Sequence, residues 1–209
     1  INLFSSAESI LIPAMLQHYG YSTGDSLSVF GILTGMAMPM ILFPNVLTGS
    51  VSVLLLPTIS AAQADCNRRL IVRAIKKTVE YCLILGLFST FFFLLTGDYI
   101  GQKIFRNTLA GTFITTLCWI CPFSNLAATL NSILNGLGKA SYSFMLNLLG
   151  SLIRILFILF LVPVYGIRPY LYGMLLSQLV ITALSLLCIF HLNNKGAIAA
   201  SNSISRHSS

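Results

Sequence analysis

Arg68-Arg69-Leu70-Ile71-Val72-Arg73-Ala74-Ile75-Lys76-Lys77 packs five of the chain's twelve Lys and Arg residues into ten positions. Upstream of it, residues 26–64 contain no Asp, Glu, Lys, Arg or His. One helical crossing of a bilayer needs about 20 consecutive apolar residues. Lys and Arg gather in the short cytoplasmic loops beside such crossings. The basic knot therefore reads as a cytoplasmic loop of a multi-span membrane protein.

The rest of the composition agrees. Of 209 residues, 8% are charged and 56% hydrophobic, with a mean hydropathy of +0.87. A soluble domain carries roughly 25% charged residues, so an all-α integral membrane protein is expected. The net charge of +7 does not indicate nucleic acid, because the charges sit at segment ends and form no basic stripe interleaved with aromatics.

Six apolar segments are expected to cross: Ile1–Leu16, Leu27–Ile59, Val79–Leu95, Asn107–Gly138, Ser141–Val162 and Tyr170–Phe190. Leu27–Ile59 would be about 50 Å long as one helix. Pro39, Pro44 and Pro57 interrupt it, so it reads as one long broken helix or as two short spans turning at Phe43-Pro44-Asn45. The first is preferred. Thr96-Gly97-Asp98 is expected to end the third span, Asp98–Arg106 to form a polar connector, and Pro122 to kink the fourth. Residues 1–192 then make one transmembrane bundle, and the Ser-rich stretch 193–209 a disordered cytoplasmic tail.

With six crossings, alternate loops share a side. One side holds Arg68, Arg69, Arg73, Lys76, Lys77, Lys139, Lys195 and Arg206; the other holds Lys103, Arg106 and Arg168. That bias places the knot and the C-terminus in the cytoplasm. The knot could also attract anionic lipid headgroups.

Two ionisable residues fall inside the crossings: Glu8 in the first and Arg154 near the middle of the fifth. Charge at such depth is expensive and marks substrate or ion pathways; the plainer alternative is an ion pair that fixes helix packing. Ser143, Asn147, Gly150 and Arg154 recur at helical spacing on one face. Asn125, Thr129, Ser132 and Asn135 form a second stripe, and Gln178, Thr182 and Ser185 a third. Together they suggest a central hydrated cavity, with Arg154, Glu8, Asn147 and Asn125 as its candidate substrate-binding residues. Singly, each fits inter-helix hydrogen bonding equally well. Gly31-x-x-x-Gly35 followed by Pro39 suggests close helix packing and a hinge.

Other chemistry finds little footing. Cys118-Trp119-Ile120-Cys121 has the spacing of a redox motif but lies among apolar neighbours, where thiols pack rather than react. The three histidines are scattered, so no metal site is expected. No nucleophile triad, phosphate loop or paired carboxylates appear. The chain offers no case for an enzyme or a cofactor.

Several patterns together resemble the C-terminal half of the stage V sporulation protein B-like polysaccharide flippases, within the multidrug/oligosaccharidyl-lipid/polysaccharide exporter superfamily. They are Leu11-Ile12-Pro13 after Glu8, Gly31-Ile32-Leu33-Thr34-Gly35-Met36-Ala37-Met38-Pro39, Phe43-Pro44 and Leu55-Leu56-Pro57-Thr58-Ile59-Ser60 before the basic loop. Cys121-Pro122-Phe123, Leu134-Asn135-Gly136-Leu137-Gly138-Lys139 and the Arg154 helix complete the set. The resemblance implies one of two pseudo-symmetric six-helix bundles, moving an undecaprenyl-linked saccharide or a peptidoglycan precursor by alternating access. The partners it implies are membrane lipid, that lipid-linked cargo and an N-terminal bundle of the same protein, in the bacterial cytoplasmic membrane. A cation-coupled small-molecule exporter of the same superfamily and a non-transporting membrane scaffold are the alternatives.

Overall fold

A computed structural model describes the backbone of residues 2–50, 57, 60, 61 and 68–207, and the side chains of most residues from 4 to 50 and from 72 to 190. Eight helices follow in order: α1 (Asn2–Tyr19), α2 (Thr23–Leu42), α3 (Arg68–Tyr99), α4 (Thr108–Leu117), α5 (Ile120–Gly136), α6 (Ala140–Phe160), the short α7 (Val162–Tyr165) and α8 (Arg168–His207). Thr23–Leu42, Ile75–Ile104, Ala140–Phe160 and Arg168–Phe190 are each long and apolar enough to cross a bilayer. The bent pair α4–α5 passes the same test only with its two helices taken together, across a 56° bend. α1 is the sixth segment expected; Asn2, Glu8, Gln17 and His18 leave it too polar to qualify on composition. It packs on α2, α6 and α7.

α3 explains why the protein needs a bilayer. Ile84, Leu87, Phe88, Phe91 and Leu95 form a helical stripe that is well over half exposed. Cys82, Ser89, Thr90 and Phe93, on the opposite face, are buried against the bundle. In water the outer stripe would forfeit about 25 cal/mol for every Å² of apolar surface, whereas in lipid it is matched.

The basic knot belongs to this helix rather than to a loop. α3 begins at Arg68 and spans 32 residues, about 48 Å at 1.5 Å per residue. That exceeds a hydrocarbon core of about 30 Å, so the first turns, with Arg73, Lys76 and Lys77 exposed, project beyond it. Lys and Arg are good helix formers, and nothing in 68–77 breaks the helix. The side chains of Arg68 and Arg69 lie outside the described residues.

The other end of α3 also runs past its expected stop. Gly97 does not end the helix, because it serves a contact: a Cβ there would stand 2.7 Å from Thr115 Cγ2 on α4. A π-helical turn, Ile100–Ile104, continues the helix. The chain reverses only at Arg106, whose φ is 51°. Asn107 then caps α4, its side-chain oxygen accepting from Leu109 N at 2.9 Å.

Two helices are broken at depth, each with a proline that accounts for it. Pro122 has no N–H for the carbonyl of Cys118, four residues back, and the chain bends by 56° between α4 and α5. The break therefore falls one turn before the proline at which it was expected. The freed Cys118 carbonyl accepts from Thr90 Oγ1 at 3.0 Å and from Cys121 N at 3.1 Å. In α2, Pro39 withholds an N–H from Gly35, and residues Leu33–Ala37 widen into a π-helical turn. A turn at Phe43 then interrupts the helix, which resumes over 44–50. The interruption at Phe43 falls where the two-span alternative placed its turn; the remainder of Leu27–Ile59, apart from residue 57, lies outside the described residues.

Gly31 and Gly35 do not serve the close packing expected of them, since a Cβ on either would meet nothing within 4 Å. α8 continues as helix to His207, where an unstructured tail is expected. Ala197, Ala199 and Ala200, and the lack of proline after Asn193, favour that continuation.

Candidate functional site

Glu8 lies in the middle of α1, among residues that pack on α6 and α7. Ile12 and Leu16, one and two turns later on the same face, are fully buried and set its orientation. On α6, Ser151 and Arg154 are three residues apart and share a face. Tyr170 is in the first turn of α8, buried to 5% exposure. These three helices bring the four side chains together.

The geometry is that of a shared carboxylate. Arg154 Nε donates to Glu8 Oε1 at 2.9 Å, and Arg154 Nη2 donates to Ser151 Oγ at 3.3 Å. Tyr170 Oη donates to the other carboxylate oxygen, Oε2, at 3.3 Å. The Arg154 and Glu8 side chains are 20% and 11% exposed. A guanidinium carries five N–H donors. Nη1 and one Nη2 hydrogen therefore make no hydrogen bond among the described residues, and the side chain is one-fifth exposed. The site is a charge-neutral pair, held on three sides, with cationic donors still free.

Glu8 and Arg154, singled out separately from the sequence, are thus direct partners. Asn147 is on the Arg154 face, two turns earlier, and its Nδ2 donates to the Ser143 carbonyl at 2.7 Å on its own helix. Asn125 is elsewhere. It is fully buried, accepting from Thr48 Oγ1 at 3.1 Å, while its Nδ2 has no partner among the described residues. Around it, Asn45 Nδ2 donates to Ser124 Oγ at 2.8 Å, and Cys82 Sγ lies 3.1 Å from Thr129 Oγ1. This second polar cluster joins residues 44–50 to α3 and α5.

Members of the three polar stripes tie their helices together. Ser143 Oγ donates to Asn131 Oδ1 at 3.1 Å, joining α6 to α5, and Thr182 Oγ1 donates to the Phe123 carbonyl at 3.0 Å, joining α8 to α5. Asn135 is exposed and Gln178 half-buried. Tyr170 and Ser151 are the members of the site that sequence reasoning missed, Ser151 because a serine three residues before Arg154 has no distinguishing mark; of the two, Tyr170 is the more informative. Its signal was slight: an aromatic with one polar end, one turn inside an apolar span, needs a partner when buried. The two close cysteines pack as expected. Cys118 Sγ donates to the Thr115 carbonyl at 3.0 Å, and Cys121 Sγ lies 3.6 Å from the Ile41 carbonyl.

Fold and site define an all-helical bundle with apolar spans suited to a bilayer. The chain superposes with a TM-score of 0.77 on a multidrug resistance MATE family transporter of the MOP superfamily in an outward-facing conformation. The two are 15% identical, over 93% of this chain and 44% of that one. In sequence the chain is similar to the C-terminal part of Stage V sporulation protein B of Bacillus subtilis (strain 168), with 24% identity over 185 residues. That alignment covers 88% of this chain and 36% of the relative, so the chain spans about a third of the relative's length. No protein-family model matches. One similarity is to a sporulation protein and the other to a multidrug resistance transporter, in keeping with the resemblance carried by the sequence motifs.

Proposed function

We propose that this chain forms one bundle of a flippase that moves an undecaprenyl-linked saccharide or peptidoglycan precursor across the bacterial cytoplasmic membrane. Arg154 is the point that recognises the anionic headgroup. The observation that carries the reading is a partly exposed guanidinium at mid-span, with N–H donors unused among the described residues. A diphosphate needs such a fork of donors within a lipid-compatible interior. The sporulation relative supports spore cortex synthesis as the destination of the cargo. Its greater length supports a second bundle, from the rest of a longer polypeptide, as the partner around a shared site. The cytoplasmic side is assigned to the basic turns of α3, Lys139 and the C-terminus, on the bias of basic residues.

The exporter reading is less favoured, because the intramembrane carboxylate it would use for a cation, Glu8, is already neutralised by Arg154. Reconstituted flipping of a fluorescent polyprenyl-linked saccharide by the full-length protein tests the proposal. Arg154→Lys should impair flipping. Glu8→Gln/Arg154→Gln, which keeps a hydrogen-bonded neutral pair, should insert normally and not flip. Undiminished flipping by that double variant would overturn the assignment.

A further inference from the structure

Helices α6 and α8 touch closely at mid-span and part at one end. A Cβ on Gly150 of α6 would collide with Ile181 Cδ1 of α8, and one on Gly173 of α8 would stand 2.8 Å from Phe157 of α6. Toward Tyr142 and Phe190 an apolar groove of about 630 Å³ opens between the two helices. We propose that this groove binds an anionic phospholipid, with one acyl chain between α6 and α8 and the phosphate on Lys139 and Tyr142.

The groove has a packed floor and an open rim. Leu146, Leu184 and Cys188 are half-buried. Leu146 and Cys188 rest on a core of Leu130, Ile133, Leu134 and Ile189. Met145, Leu187 and Phe190, all well over half exposed, form the rim. From Leu184 to Phe190 the wall is about 9 Å long, against about 15 Å of hydrocarbon in one leaflet. It lodges the part of a chain nearer the headgroup and leaves the chain's end in the bilayer.

Charge decides which lipid. Lys139 immediately precedes α6, is exposed, and makes no side-chain cap. A cation at that end opposes the helix dipole, so it does nothing for α6. It pairs with no carboxylate, and Tyr142 Oη has no hydrogen-bond partner, among the described residues. The Lys139 charge acts on Cys188 across the groove, which places the ammonium at its mouth. Tyr142, in the first turn of α6, supplies a hydroxyl beside it. A phosphate takes a point charge from the one and a hydrogen bond from the other. The Arg154 site is separate: Leu146 is eight residues from Arg154, about 12 Å along α6. Neither Glu8, Ser151, Arg154 nor Tyr170 lines the groove. The proposal therefore stands independently of the flippase reading.

The test is native mass spectrometry of the full-length protein, titrated in detergent with phosphatidylglycerol or phosphatidylcholine of identical chains. Lys139→Gln should weaken the tightest phosphatidylglycerol site about fivefold, the effect of one basic side chain near a membrane surface, and leave phosphatidylcholine unchanged. Met145→Trp/Leu187→Trp, which alters rim residues and narrows the groove, should remove the site for both lipids. Lys76→Gln on α3 should change neither. Equal phosphatidylglycerol affinity in wild type and Lys139→Gln would overturn the assignment. So would unchanged lipid retention in the narrowed variant; a loss of its thermal stability besides would show that another part of the polypeptide fills the groove. Displacement of the phosphatidylglycerol by methyl-capped farnesyl diphosphate would overturn it too, by making the groove part of the cargo's path.

Discussion

Gly86 on α3 lies directly against Pro122 on α5: a Cβ built on the glycine would stand 2.9 Å from the proline Cβ, and closer still to its Cα. The contact is backbone against ring, so neither side can yield by changing a rotamer. It clamps α3 onto the first turn of α5, immediately after the break at Cys118.

Gly86→Ala should therefore lower stability by about 1–3 kcal/mol, the usual range for overpacking. Gly31→Ala should not, since its added methyl meets open space. Thermal unfolding of the two variants in the same detergent compares them. Equal melting temperatures would show that α3 and α5 can separate freely.

Removing one member of the Glu8–Arg154 pair leaves the other buried and unpaired, at a penalty of about 3–5 kcal/mol. Arg154→Ala should thus reduce the amount of folded protein in the membrane. Glu8→Leu/Arg154→Met, which deletes both charges, should recover much of it. Quantitative immunoblots of membrane fractions read this out, and a double variant as depleted as the single one would contradict it.

Thr90→Val keeps the shape of the side chain while removing the hydroxyl that donates to the Cys118 carbonyl. The expected loss is about 1 kcal/mol, because Cys121 N still serves that oxygen. A loss of several kcal/mol in denaturant unfolding would mean that Thr90 carries the break alone.

Cysteines placed at Arg73 and at Lys139 should be shielded from a membrane-impermeant maleimide in intact cells. Cysteines at Lys103 and Arg106 should label. Strong labelling at 73 or 139 would invert the proposed orientation.

Sequence periodicity located the apolar segments and the two buried charges, because hydropathy and isolated ionisable residues are properties of a single helix. It did not reveal which helices meet. Glu8 and Arg154 are 146 positions apart, and nothing in either helix names the other. The stripe containing Asn125 repeats at helical spacing as the one containing Arg154 does, yet turns to Thr48 and Cys82, since spacing fixes a face but not the neighbour. The end of α3 escaped notice for a related reason. Gly97 and Asp98 have the composition of a stop, whereas the contact of Gly97 with Thr115 is a tertiary fact.

The separation of Glu8 from Arg154 also has a consequence in time. A ribosome adds about 5–20 residues per second, so the 146 positions between them take about 7–30 s to synthesise. Throughout that interval α1 has a carboxylate whose partner in the fold, Arg154, has not yet been made. Closure of the bundle at this pair is timed by the appearance of α6.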